Sequence, residues 1–591
     1  MPIEPNKIES VTSDTSVENE LTTPDTINQI VQEVDNKIND YETSMEPFFQ
    51  EANEYANQYR LIPKQKRKRG LTRTVVSETT RSVETLATIW YKQQTAESPN
   101  FQLFPSSNLT RPGDLFAHTA LIQEQMREKE YNEKALPGLR SLALFGSIFI
   151  EEPFIKSPNE AIKYTDFRTK SILEVAHDRS VKNINEANWI CSLNWITAST
   201  LRRIVSNDDT GVFDERALME VLSESQNRES IPTRVIVRLQ DAGYTGLEYK
   251  NLFELAVYQG ILDCNNDYKD MVVWVINRSK VIAVYENPFP NRRKMTRYVG
   301  FIHFDIEPQA YGIGKLTRRL QKDLNFIRET NQDLTIFNLL PMLKVARSAN
   351  LNYEDLQALP LSVIELDNVN SLDALSFNPE AIRWGMALEK EMKEEFRATS
   401  GAVDNLQAIV TEATATETTM ATNEAFRRVS SYGEVIASGM LGKHINACIN
   451  DNQKWISEPI WVHNTGKSPA EVLPENVRKP VKARMRIITD KDFRPKRLQR
   501  IIEMLQMYSS IRNTFPQEVI GRIDPLIFFE EAALMLQIDP DRLIKQAASP
   551  SPMDMGRLMA LQGAMTGPKG NPGFAASPVG EIPAGVPANE I

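Results

Sequence analysis

The sequence predicts an α+β protein in which helix predominates, and three observations carry that reading. In the second half, apolar residues recur at helical steps over long pieces, as in Leu320, Leu324, Ile327, Asn331 and Leu334. Short β-rich runs separated by charged turns crowd the stretch between Leu139 and Asp305. Both ends are too polar or too rich in turn residues to build a core, so folding belongs to the middle of a 591-residue chain, long enough for several domains.

Residues 1–40 hold no aromatic residue and no glycine, and carry nine acids against Lys7 and Lys37. Residues 1–24 are therefore expected to be a disordered acidic tail. A helix is expected after Pro24-Asp25, where Ile27, Ile30, Val31 and Val34 share a face. Val75–Gln93 and Ala117–Lys134 read as amphipathic helices. Strands are expected at Ser147–Phe154, Ser171–His177, Asn188–Thr197 and Tyr298–Ile306, the last stopped by Pro308. Met271–Ile276 and Val281–Tyr285 flank a hairpin turn at Asn277-Arg278-Ser279-Lys280. Ala198–Ser206, Glu215–Glu224 and Leu252–Tyr258 read as interleaved helices.

Beyond Pro308 the helices lengthen. One spans 311–340; a second spans 379–399, with Trp384, Leu388, Met392 and Phe396 at i+4 steps. Between them lies a small mixed segment with an extended Leu361–Leu366. After a break at Gly401, a third helix runs over 414–449, its apolar face made by Val429, Ile436, Met440 and Ile445. It tolerates Gly433, Gly439 and Gly442 at some cost. Strands at Trp455–His463 and Val481–Ile488 precede a helical block over 495–547, and residues 548–591, with seven prolines and seven glycines, form a flexible tail.

Composition excludes several classes. With 68 Lys plus Arg against 78 Asp plus Glu, the formal charge is −10, which argues against tight binding of duplex DNA by phosphate neutralisation. Much of that negative charge sits in the first 40 residues, so a conduit that DNA merely passes is still allowed. Cys191, Cys264 and Cys448 make neither a zinc spacing nor a disulfide framework, as in a chain from a reducing cytoplasm. The longest apolar stretch, Leu142–Ile150, is far short of a membrane span, and no secretory signal pattern opens the chain.

Catalytic motifs find no support. Gly312-Ile313-Gly314-Lys315-Leu316-Thr317 suggests a phosphate loop, yet GxxxxGK[ST] would need glycine at Gln309 and a hydroxyl at Leu316. A strand-to-helix turn that needs small residues is the better reading. His118, His177, His303, His444 and His463 are scattered without metal-ligand spacing. Asp305 and Glu307 lie two apart, and only with a further acid would they suit a metal-dependent hydrolase or nuclease. No enzyme, cofactor or metal is expected. Two basic clusters stand out: Lys64, Lys66, Arg67, Lys68, Arg69 and Arg73, and a helix face made of Lys315, Arg318, Arg319 and Lys322. The second could face solvent, DNA or the acids of a neighbouring helix. The run Thr411–Thr419 suggests a helix end able to wind and unwind.

The order of these parts, with a β-containing first half, a helix, a small insert, a returning helix, a glycine-broken loop and a long helix, resembles the portal proteins of tailed bacteriophages. The short-tailed phages offer the best likeness. Leu144-Phe145-Gly146-Ser147-Ile148-Phe149-Ile150 is similar to that family's helix-to-strand transition. Tyr311-Gly312-Ile313-Gly314, followed by Leu320-Gln321-Lys322-Asp323-Leu324-Asn325, resembles its lead into the first stem helix, and Thr414-Ala415-Thr416-Glu417 the start of its long helix. The likeness covers roughly residues 50–500.

The resemblance implies a dodecameric ring at one capsid vertex, part of the virion and assembled in the host cytoplasm. It implies a wing over 25–310 and 414–490, stem helices at 311–340 and 379–400, a clip at 341–378, a tunnel loop at 401–413 and a crown at 491–547. Double-stranded DNA would pass the channel without sequence recognition. Val403, Asp404, Asn405, Leu406, Gln407, Ala408, Ile409 and Val410 would line it, and Lys344 and Arg347 near the clip would contact phosphate or an acidic partner. Terminase, a tail adaptor, the major capsid protein and a scaffold are the implied partners. The rival from the structural class is another ring-forming head–tail or tail component.

Overall fold

The computed structural model describes residues 24–63, 72–95, 100–106, 110, 112–156, 163–206, 213–223, 252–264, 267–304, 307–339, 342–345, 372–375, 379–401, 429–462, 470–485 and 506. The chain separates into two compact units, Met1–Lys496 and Arg497–Ile591, and of the second only Gln506 is described. The first unit mixes α and β structure with helix predominating.

Helix α1 (Pro24–Tyr59) buries one stripe at helical spacing, Ile30, Val34, Ile38, Tyr41, Met45 and Phe49. Of the four residues that signalled it, Ile30 and Val34 are buried, and Ile27 and Val31 flank the stripe half-buried. This stripe covers one face of a five-stranded antiparallel sheet. Its strands, in spatial order, are β10 (Lys280–Glu286), β9 (Asp267–Ile276), β8 (Leu252–Cys264), β7 (Trp189–Thr197) and β6 (Val175–His177). Strand residues alternate between two cores. Met271, Val273 and Val275 of β9 meet α1, while Val272, Trp274 and Ile276 meet α5 (Ala198–Ser206) and α6 (Glu215–Ser223) on the opposite face. The expected hairpin joins β9 to β10, with Asn277 and Arg278 both at positive φ as a type I′ turn demands. Arg278 then reaches Glu42 of α1 at 2.7 Å and Glu254 of β8 at 3.1 Å.

Sheet burial on both faces corrects one expectation. Leu252–Tyr258 is not a helix but the first half of β8. An apolar run buried on both sides has no face to alternate, so its periodicity does not separate helix from strand.

A second core joins α2 (Glu78–Thr95), α4 (Tyr131–Phe145), β2 (Ser147–Glu151) and the long helix through Trp90, Leu139, Leu142, Ile148, Met440 and Ile445. Strand β2 is the centre of a three-stranded sheet between β11 (Thr296–Gly300) and β5 (Arg168–Ser171). The expected helix Ala117–Lys134 is two helices, α3 (Pro112–Glu128) and α4, parted where Glu130 adopts φ 53°. Apolar periodicity continues across the joint, so the break leaves no mark in the pattern. Pro308 does not stop the strand before it. It lies inside β13 (Glu307–Tyr311), which pairs with β12 (Ile302–Phe304), an edge position that spares proline's missing N–H.

The remaining short strands are β1 (Phe101–Pro105) with β18 (Val481–Met485), β3 (Phe154–Lys156) with β4 (Lys163–Thr165), and β16 (Ile460–Val462) with β17 (Ala470–Val472). Trp455 ends a helix rather than starting a strand. From Tyr311 the chain enters α7 (Ile313–Leu316), turns at Thr317, and continues as α8 (Arg318–Leu339). A two-stranded hairpin, β14 (Met342–Val345) with β15 (Leu372–Leu375), leads to α9 (Pro379–Ser400). The long helix is described over 429–437, passes through a π turn at Ser438–Gly442 and ends as α10 (Lys443–Trp455). Its four expected face residues, Val429, Ile436, Met440 and Ile445, are all buried.

Candidate functional site: a helix hairpin and the junctions that hold it

The hairpin of α8 and α9 starts from glycines. Gly146 ends α4 at φ 84°, its N–H donating to Leu142 O at 2.9 Å. A Cβ there would collide with the backbone of Tyr311 and Gly312 and come within 2.7 Å of Ala310 O. Gly312 is packed as tightly against Leu144 and Gly146, and Gly314 against Tyr55 and Leu144. The two glycine motifs singled out in the sequence, 165 residues apart between Gly146 and Tyr311 by numbering, are thus two sides of one contact. Backbone of Leu144 and Gly146 fills the face of Gly312, and the Tyr55 side chain with Leu144 O that of Gly314, which a phosphate loop would turn to its ligand.

Helices α8 and α9 run antiparallel, with Arg328 opposite Glu389 at 3.0 Å and Asn331 against Gly385, where any Cβ would strike the Asn331 amide. Lys393 also reaches Glu389, at 2.6 Å. Burial lifts the Glu389 carboxyl, but Lys393 and Arg328 outweigh it and hold it below the usual range. Arg397 closes a bidentate pair on Glu78 at 2.9 and 3.0 Å, fastening α9 to the start of α2.

An extended strap, residues 72–76, lies along α8 and was invisible in the sequence. Thr72 N donates to Asp333 at 2.8 Å, Thr74 N to Glu329 at 3.2 Å and Val76 N to Asn325 at 2.8 Å. Thr79 N donates to Gln321 at 3.2 Å. Those acceptors step by four along one helix face, so side chains supply the hydrogen bonds that a neighbouring strand would otherwise give.

The basic face meets the acids of α1. Arg318 pairs with Glu51 at 2.5 Å and Glu54 at 2.8 Å, and Lys322 pairs with Glu54 at 2.9 Å. Lys315 sits 3.6 Å over the Tyr311 ring. Arg319 is 94% exposed and has only Asp323 at 3.9 Å. Three of the four basic residues are therefore engaged within the chain.

Apolar seams behave unequally. On α8, Leu324 and Asn331 are buried while Leu320, Ile327 and Leu334 are half-buried. On α9, Phe396 is buried, whereas Trp384 is 75% and Leu388 47% exposed. Phe326, Leu339 and Met386 add exposed apolar surface to the same hairpin. Of the residues at i+4 steps on α9, the first two are thus exposed and the last is buried.

Several expected residues lie outside the described residues: Val403 to Val410, Arg347, Asp305, His463, the basic run Lys64–Arg69, the segment 414–428, the extended Leu361–Leu366, the tails before 24 and after 547, and the crown apart from Gln506. Lys344 falls on β14 and Glu307 on β13, placed by backbone alone. Among the described residues, no cluster of His, Cys, Asp or Glu could hold a metal ion, and no helix is long and apolar enough to cross a membrane.

A buried polar junction was also missed. Lys129, in the joint between α3 and α4, is 1% exposed and donates to Thr165 O at 3.0 Å, His444 Nε2 at 2.7 Å and Cys448 Sγ at 3.3 Å. His444 Nδ1 lies 2.8 Å from Glu152, which also accepts from Arg297 at 2.9 Å. Arg297 further donates to the carbonyls of Gly439 and Met440 in the π turn, groups that such a turn leaves short of partners. Arg293 pairs with Asp451, which accepts from Thr165 at 2.8 Å. Burial lifts the Glu152 carboxyl, yet Arg297 and His444 outweigh it and hold it well below the carboxylate range. Residues numbered 129, 152, 293, 297, 444 and 448 share no period, and of the two pairs four apart only His444 and Cys448 lie on a helix.

No protein-family model matches this sequence, and no curated protein is significantly similar to it.

Proposed function

We propose that this chain is a portal-type subunit, a ring-forming head–tail connector of a tailed phage, whose assembled channel passes double-stranded DNA during packaging and ejection. The observation that supports it best is the antiparallel α8–α9 hairpin, tipped by a small β hairpin and carrying Phe326, Leu339, Trp384, Met386 and Leu388 on its outside. A solitary subunit gains nothing from exposing these side chains. A neighbour in a closed ring would cover them, because such a ring gives each subunit two different contact faces.

In this reading α8 and α9 are the stem, the β14–β15 hairpin belongs to the clip, and 401–413 is the tunnel loop, with Val403–Val410 toward DNA. Arg319, the most exposed of the basic face, is the residue freest to meet a neighbour or the channel. The clip, with Lys344 and Arg347, docks terminase and later a tail adaptor, while the outer face meets the capsid protein and its scaffold. The function is passage, so weak contacts suit it better than strong phosphate binding.

Negative-stain imaging and light scattering of the purified chain test the reading. Rings about ten times the mass of one chain are expected. Monomers alone at high concentration, with and without capsid scaffold, overturn it. Trp384→Glu should abolish the rings while leaving the melting temperature of the monomer unchanged, since the side chain touches little of its own chain.

A further inference from the structure

The junction around Lys129 carries charges that passage of DNA does not use. Its buried or mostly buried ions are Lys129, Arg293 and Arg297 against Glu152 and Asp451. The side chains that face it, element by element, are few. Tyr131 comes from α4, and Thr165 from β4, followed by Asp166, which is paired with Lys134 and Arg168. Lys443, His444 and Asp451 come from the long helix. Lys443 is held below its ordinary range first by burial and then by Arg297, and any charge it carries adds to the positive side of the balance.

Hydrogen bonding fixes the state of His444. Lys129 is an ammonium with three N–H groups, and it has three acceptors: Thr165 O, His444 Nε2 and Cys448 Sγ. A ring nitrogen that accepts carries no proton, so His444 is neutral and donates through Nδ1 to Glu152. With a neutral thiol at Cys448, the junction would hold at least one positive charge too many, with Lys129 itself fully buried.

We propose that Cys448 is a buried thiolate paired with Lys129, and that this pair is an acid-sensitive lock on the π turn of the long helix. Cys448 and His444 lie on the first turns after Ser438–Gly442, and Glu152 grips both His444 and the Arg297 that clamps Gly439 and Met440. Protonating the thiolate removes the charge that balances Lys129 and loosens the same groups that hold the turn. Burial pushes the thiol up, and the Lys129 ammonium, 3.3 Å from Sγ, is the charge that draws it down. A cysteine lowered in the folded state stabilises above its unfolded value, and that stabilisation is lost as pH falls through the lowered one.

The test uses the full chain and its Cys448→Ser variant, which keeps the size of the side chain. Thiolate absorbance at about 240 nm, taken as wild type minus variant from about pH 5.5 to about 9, should step below the range of free cysteine. Hydrogen exchange of peptides covering the π turn, corrected for intrinsic rates, should speed up below the step in the wild type and be independent of pH in Cys448→Ser. Lys129→Gln keeps donors but removes the charge, and should raise the midpoint by about one pH unit or more, a tenfold change in proton affinity. A flat difference spectrum, a midpoint near that of free cysteine, or exchange at the turn that ignores the step would overturn the proposal. Should Lys129→Gln not fold, the spectrum and exchange of Cys448→Ser still decide it.

Discussion

Gly146 and Gly312 lie backbone against backbone, and that contact sets where the α8–α9 hairpin leaves the β-rich body. The end of α4 and the start of α7 come together only because neither residue carries a side chain. Gly146→Ala adds left-handed strain to a backbone collision and should destabilise the chain by about 2 kcal/mol or more. Gly312→Ala should cost a similar amount through the collision alone. Gly439 provides the contrast, because a Cβ there meets only Val299 at 3.4 Å. Gly439→Ala should change stability by less than about 1 kcal/mol. Denaturant unfolding of the three variants checks the ranking.

The strap on α8 predicts a local effect without global loss. Asn325→Leu removes the acceptor of the Val76 N–H, and Asp333→Ala that of Thr72. Each lost bond is worth about 1 kcal/mol. Exchange protection in a peptide covering 72–80 should therefore fall several-fold while that of β8 and β9 stays unchanged. Equal loss in both places would show the strap to be part of the global unit.

His177 is buried against Tyr41 and Phe149, and burial lowers it to about 4. Between that value and the ordinary one near 6.5 the unfolded chain binds a proton that the folded chain does not. Stability should thus fall as pH drops through this window, by up to about 1.4 kcal/mol per unit. His177→Phe should flatten that part of the curve, read by melting temperature at a series of pH values.

Arg318 and Arg319 are neighbours with different prospects. Arg318→Ala breaks two partly shielded pairs with α1 and should cost about 0.5–1 kcal/mol. Arg319→Ala should leave monomer stability within about 0.5 kcal/mol. If the ring reading holds, the Arg319 variant changes assembly or DNA passage instead, and comparing melting with ring formation separates the two.

Deletion of Val403–Val410 should leave rings intact while reducing DNA packaging or retention. Loss of the rings would make this segment structural rather than a lining.

Local signals carried well through the chain. The α1 stripe, the helix Ala198–Ser206, the hairpin turn at Asn277 and the buried face of the long helix all follow from neighbours within one or two turns. Failures came where the decisive partner is remote. Leu252–Tyr258 looked helical because helices bury both faces of the sheet it belongs to. Trp384 and Leu388 share the i+4 spacing of Phe396 yet are exposed, because spacing alone does not say which residues the chain covers. The strap and the Lys129 junction join residues hundreds of positions apart, and no periodicity spans such distances.

The strap has a consequence for how the protein is made. Thr72 and its acceptor Asp333 are 261 residues apart. At about 5–20 residues per second, the ribosome needs roughly 10–50 s to deliver α8 after the strap has emerged. Helix α1 waits as well, since its apolar stripe rests on strands synthesised some 200 residues later. Helix α1 and the strap therefore emerge well before the partners that hold them. A nascent-chain binder would have its longest opportunity there.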